Sequence, residues 1–132
     1  MTGAGPFVAP LETCPLARRN GTLFAAFVVE YAKIVQLAVE EAVSRTDRQV
    51  YLKLKDLGRR AGEQDALPQD LIAVHLSVLA SMIRNEPHAK ARACVRHSRL
   101  LLVKTIGELA LYYRDRAGRA AADAVPGSVG RA

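Results

Sequence analysis

The sequence predicts an all-α protein: a four-helix bundle that dimerises through its first and last helices. Three observations carry that expectation. Ala, Leu, Val and Arg dominate a chain with 5% aromatic residues and no Trp, a composition that favours helix over sheet. Apolar residues recur at three- and four-residue spacing through four long segments, the period of a helix face. Helix-start chemistry, a capping side chain or a first-turn proline, stands before each segment. A length of 132 residues fits one domain, which removes roughly two-thirds of its unfolded surface from water and so holds one core.

Residues 1–20 contain Pro6, Pro10 and Pro15 without periodicity and read as an irregular N-terminal arm, with Phe7, Val8 and Leu11 available to pack on a neighbour. Residues 21–118 read as the bundle. Residues 119–132, with Pro126, Gly127 and Gly130, read as a flexible tail.

The first helix is expected from about Thr22, as N-cap, to Val43. Its stripe of Phe24, Phe27, Val28, Tyr31, Ile34 and Val35 is widened by Val29, Leu37 and Val39, so it needs more than one packing partner. The second helix starts at a capping box, Thr46 to Gln49, and carries a seam of Val50, Leu54, Leu57 and Ala61. Gly58 and Gly62 weaken its end, and Gly62 suits a close-packing or C-terminal position. The third helix opens with Pro68 in its first turn and Asp70 near the positive end of its dipole. Its apolar set is Leu71, Ile72, Val74, His75, Val78, Leu79, Met82 and Ile83. Asn85 is the expected cap of the fourth and longest helix. That helix has a primary face of Ala91, Cys94, Val95, Ser98, Leu102, Ile106, Leu109 and Tyr113, and a second apolar face of Leu100, Val103 and Leu111. Burying a second face is worth about 1.5–3 kcal/mol per large side chain, which makes a homodimer the expected solution. Phe24, Phe27, Val28, Tyr31, Leu100, Val103 and Leu111 are the residues expected at that interface.

The net charge of +6 is placed unevenly. Positive and negative side chains balance through residue 86. Beyond it, nine Lys and Arg face only Glu108, Asp115 and Asp123. Such a surplus suits an acidic partner surface or nucleic acid. Arg92, Arg96 and Arg99 share one helix face and would serve a nucleic-acid-binding protein, the alternative reading; no aromatic platform interleaves with them.

Catalytic and metal chemistry find little support. His88, Cys94 and His97 lie on one helix without the separate turns that zinc ligands use, and no CxxC or HExxH is present. Cys94 with His97 forms a conceivable thiol–imidazole pair, but no carboxylate orients it and a core cysteine is the simpler reading. His75 lies on the apolar side of its helix, where it reads as a core histidine that a neighbouring group must satisfy. The expectation is no catalytic residue, no metal and no cofactor. Cys14 and Cys94 make no disulfide framework, there is no signal-peptide pattern, and Glu30, Lys33 and Glu40 interrupt the most apolar stretch. A cytoplasmic protein without a membrane span follows as an expectation.

One stretch carries a resemblance. "YLKLKDLGRRAGEQDALPQDLIAVHLSVL" has an apolar helix ending in Leu57-Gly58-Arg59, a short acidic linker, and then Leu67, Pro68, Asp70, Leu71, Ile72, Val74 and His75. Farther on, "SRLLLVKTIGELALYYRD" begins at Ser98 and closes an aromatic stretch with Arg114. Together these resemble the N-terminal helical domain of the RsbU stress-response phosphatase family. They depart from its pattern at Lys104 and at Leu109–Tyr112. The architecture is also similar to the C-terminal domain of the KaiA circadian regulators.

The resemblance implies a dimeric, non-enzymatic signalling domain that binds a regulatory protein of kinase or anti-sigma type in a bacterial partner-switching or clock-like pathway. No phosphatase sequence follows within these 132 residues, so a stand-alone adaptor or the receiving domain of a larger protein is expected. The partner site is expected in a groove near the second and third helices, at Arg59, Arg60, Asp70 and His75.

Overall fold

A computed structural model describes residues 14–44, 48–85 and 87–124. Among the described residues the chain is helical throughout, with five helices: α1 (Pro15–Arg19), α2 (Gly21–Ser44), α3 (Arg48–Glu63), α4 (Pro68–Asn85) and α5 (His88–Asp123). The expected all-α class holds. The expected capping box at Thr46 and the residues Phe7, Val8 and Leu11 lie outside the described residues.

Four local expectations are corrected. The arm is not irregular at its end: Cys14 caps the short α1, accepting from the Ala17 N–H through its sulfur, with Pro15 in the first turn. Asn20, not Thr22, caps α2, its Oδ1 accepting from the Leu23 N–H at 3.0 Å. Asn85 ends α4 rather than capping α5, whose N-cap is Pro87 with no side-chain hydrogen bond. The last helix also runs on to Asp123, past the expected start of the tail. At 36 residues it is about 54 Å long, roughly twice the length of α3 or α4.

Helices α3 and α4 each lie against both α2 and α5, while α1 tucks against α2 and α4. The core they enclose follows the stripes read in the sequence on α2 and α3, whereas on α5 Leu101 and Thr105, expected on neither face, are buried and the expected Val95, Leu102, Ile106 and Tyr113 are only half-buried. Phe27, Tyr31, Ile34 and Val35 of α2 meet Val50, Leu54, Leu57 and Ala61 of α3, and Leu71, Val74 and Val78 of α4. On α5 the buried side is Ala91, Cys94, Ser98, Leu101, Thr105 and Leu109. Thr105 remains buried because its hydroxyl bonds back to the Leu101 carbonyl at 2.7 Å.

A close approach of α3 to α5 is made at two glycines. A Cβ at Gly58 would stand 2.7 Å from the Glu108 Cβ and 3.2 Å from the Thr105 carbonyl oxygen, and a Cβ at Gly62 would overlap the Tyr112 ring. The four-residue spacing of Gly58 and Gly62 therefore lets the backbone of α3 sit down on α5; of the two roles open to Gly62, close packing is the one found.

The turn from α3 to α4 closes with a Schellman motif. Ala66 N–H bonds to the Ala61 carbonyl (3.0 Å) and Asp65 N–H to that of Gly62 (2.9 Å). Asp65 takes the left-handed conformation this requires, at φ 58°. Buried Ala61 and Ala66 supply the apolar contact that accompanies the motif.

By length and composition the Gly21–Glu40 part of α2 is long and apolar enough to cross a membrane, although Glu30, Lys33 and Glu40 interrupt it. In the fold Phe24, Phe27, Tyr31, Ile34 and Val35 are buried in the core, Val29 is 54% exposed, and Glu30 pairs with Arg60 of α3.

Candidate interaction surfaces

The four residues expected to bind a partner do not share a surface. Asp70 is fully buried at the start of α4 and is saturated by three donors. Its Oδ2 accepts from the Leu67 N–H at 2.7 Å, the reach-back half of a capping box. Its Oδ1 accepts from the Cys14 thiol (3.0 Å) and the Leu16 N–H (3.2 Å), which ties α1 to α4. Burial, then the hydrogen bond to Asp70, pushes the Cys14 thiol up to about 11, so it stays protonated and donating. Asp70 is a structural joint, not a surface acid.

His75 is also interior, as its periodicity predicts. Its Nδ1 lies 2.9 Å from the Tyr31 hydroxyl, and the two rings meet edge-on with centroids 5.8 Å apart. The same hydroxyl donates toward the Ser98 carbonyl at 3.4 Å. Burial lowers the His75 pKa from its usual 6.5 and raises that of the Tyr31 phenol, so both stay neutral. Tyr31 is thus the group on a neighbouring helix that satisfies the imidazole, which the sequence left open.

Arg59 and Arg60 do reach the surface, but each is occupied. Arg59 bonds Asp56 at 2.5 Å and Glu63 at 2.7 Å, and Arg60 bonds Asp56 at 2.8 Å and also Glu30. Nearby, Arg116 of α5 holds Asp65 at 2.8 Å and keeps that carboxyl below its usual range. Tyr113 donates to the Ala66 carbonyl at 2.6 Å, and Arg19 to that of Gln64. The α3–α4 corner is closed by its own polar groups.

The residues expected at the dimer face divide by helix. Phe24, Phe27 and Tyr31 are buried within the chain itself, and Val28 is half-buried. They fill the core, because the stripe of α2 is needed to cover α4 and α5. The α5 group remains outside: Leu100 is 63%, Val103 65% and Leu111 43% exposed. Exposed Gly107 and Ala110 lie between them on the same face.

Three surface grooves accompany these features. Between α2 and α3 a groove of about 590 Å³ mixes Glu30, Glu40 and Asp56 with Lys33 and Lys53. Between α3 and α5 one of about 690 Å³ mixes Asp56, Glu63, Glu108 and Asp115 with four basic side chains. The third, of about 550 Å³ where the end of α4 meets the start of α5, has among the described residues only basic charges, Arg92, Arg96 and Arg99, with His88 around Ile83, Ala91 and Val95. Ile83 and Ile72, expected on the buried side of α4, are 57% and 40% exposed. Each falls near the boundary of a stripe too wide for the surface that α4 covers.

Cys94 is fully buried and His97 half-buried, which gives the thiol no open approach. Among the described residues no three His, Cys, Asp or Glu gather as metal ligands. No protein-family model, curated protein or solved structure matches the chain.

Proposed function

We propose that this protein is a non-catalytic, cytoplasmic signalling adaptor: a four-helix bundle with one short added helix that pairs with a second copy of itself and presents the pair to a regulatory protein. The observation that carries this reading is the outer face of α5. Leu100, Val103 and Leu111 lie at helical spacing, stand 43–65% exposed, and flank small Gly107 and Ala110 that allow a second helix close. Burying each large side chain contributes about 1.5–3 kcal/mol.

The interior supports the non-catalytic part of the reading. Asp70 and His75, the buried groups that most invite a chemical role, are both engaged by neighbouring helices. The resemblance of residues 51–114 to the RsbU N-terminal domain favours a kinase-like or anti-sigma partner in a bacterial partner-switching or clock-like pathway. Analytical ultracentrifugation tests the pairing. The wild-type chain is expected to sediment as a dimer at micromolar concentration, and Leu100→Glu with Val103→Glu as a helical monomer. A wild-type monomer at that concentration removes the pairing from the proposal.

A further inference from the structure

We propose that the groove between the end of α4 and the start of α5 docks an acidic, amphipathic helical segment of a partner protein. This rests on the adaptor reading and gives its partner a chemistry. Three exposed guanidinium groups, Arg92, Arg96 and Arg99, rim the groove two turns along one face of α5. Among the described residues none of the three has an ion-pair partner, whereas Arg59, Arg60 and Arg116 all do. Like charges at three- and four-residue spacing repel, so the free protein holds this rim at a disadvantage that opposing carboxylates would relieve. Charge therefore selects an acidic occupant.

The floor selects among acidic occupants. Ile83 stands 57% exposed beside Ala91 and Val95, which with it form the apolar floor. Nucleic acid would pair with the rim but leave the apolar floor unmatched, and no aromatic side chain lines the groove to stack a base. A helix with apolar residues at three- and four-residue spacing fills the floor, and acidic residues along its flank meet the rim. The rim spans seven residues, about 10 Å along α5, so a docked helix of about three turns reaches all of it.

The test is a selection of short random peptides displayed against the 132-residue chain, with counter-selection against the Arg92→Glu, Arg96→Glu, Arg99→Glu variant. Enriched peptides are expected to be acidic, with apolar residues at helical spacing. A synthetic peptide of the enriched sequence is expected to bind at least about tenfold more weakly to the charge-reversed protein. It should also weaken on Ile83→Ser, which keeps every charge. Should the triple variant fail to fold by circular dichroism, Arg96→Glu alone and Ile83→Ser carry the same comparison.

Enrichment that the variants do not alter, or peptides without acidic residues, overturns the proposal. So does preferential binding of a mixed-sequence duplex or single-stranded oligonucleotide that Ile83→Ser leaves intact, which assigns the rim to nucleic acid. Binding to phosphatidylserine vesicles without any peptide enrichment assigns it to an anionic membrane surface. Sedimentation of the same variants keeps the two readings apart. Loss of the dimer on charge reversal assigns the groove to a second copy and also overturns the proposal, whereas a wild-type monomer that still binds peptide removes only the dimeric part of the adaptor reading.

Discussion

The two corners of the helical hairpins that contain α4 both carry arginines and treat them in opposite ways. At the α3–α4 corner every prominent polar group has an internal partner: Asp70 with α1, Asp65 with Arg116, Arg59 and Arg60 with Asp56 and its neighbours. At the α4–α5 corner Pro87 caps α5 without a side-chain bond, Ile83 stands in solvent, and Arg92, Arg96 and Arg99 face outward unpaired among the described residues. A corner that satisfies itself has little left to offer a partner; one that does not keeps its affinity for something else. The closed corner is where the fold is held, and the open corner is where binding is expected.

Breaking the closed corner should give the largest effect. Asp70→Ala leaves the Leu16 and Leu67 N–H groups and the Cys14 thiol without their acceptor, and is expected to destabilise by about 2–4 kcal/mol in urea unfolding. Hydrogen exchange should show Leu16 losing protection first, because α1 depends on that joint. A change under about 1 kcal/mol would mean the three donors find other partners. Next comes the close approach of α3 to α5. Gly58→Ala gains up to about 1 kcal/mol in helix propensity but forces its methyl against Glu108 and the Thr105 carbonyl, a crowding worth about 1–3 kcal/mol. Net destabilisation is expected, and a rise in thermal midpoint would show the helices free to part.

How much of this contrast was readable in the sequence follows from how local each interaction is. The seam of α3 and the glycine pair at 58 and 62 declare themselves by spacing within one helix. So does the pairing of Arg59, which has Asp56 three residues before it and Glu63 four after; Arg92, Arg96 and Arg99 have no carboxylate at those positions. Asp70 was misplaced on the surface because an acid in the first turn of a helix is ordinarily solvated. Its burial depends on α1, 54 residues away in the chain, and the only local hint of α1 was Pro15 following Cys14. Phe24, Phe27 and Tyr31 were placed at a dimer face because periodicity shows how wide an apolar stripe is, not which helix covers it. The Tyr31 partner of His75 needs the relative rotation of α2 and α4, which no pattern inside either helix encodes.

Between the corners, the Tyr31–His75 pair gives a pH test. Burial lowers the folded imidazole's pKa below the 6.5 of an exposed histidine, so the unfolded chain binds the proton first as pH falls. The stabilisation from this group is therefore complete above pH 6.5 and is lost progressively below it, through the folded pKa. Urea midpoints should fall between neutral pH and pH 5 in the wild type, and His75→Phe should flatten that part of the profile. Tyr31→Phe removes the hydroxyl from Nδ1 and is expected to destabilise by about 1–2 kcal/mol at neutral pH. An unchanged acid slope in His75→Phe would assign the loss to the carboxylates of the closed corner.

The smallest expected effect is the one that defines the open corner. Arg60→Gln removes a partly exposed pair with Asp56 and Glu30 and should lower stability by about 0–1 kcal/mol. Arg96→Gln removes a charge whose helix neighbours Arg92 and Arg99 repel it, so the sign should reverse, with a gain of a few tenths of a kcal/mol at low salt. Added salt screens that repulsion, and the gain should fade as ionic strength approaches about 0.5 M, where the screening length is shorter than the spacing between the charges. A loss above about 1 kcal/mol from Arg96→Gln would mean that the guanidinium has an internal partner. The α4–α5 corner would then be closed like its counterpart, and the case for an acidic partner there would lose its electrostatic basis.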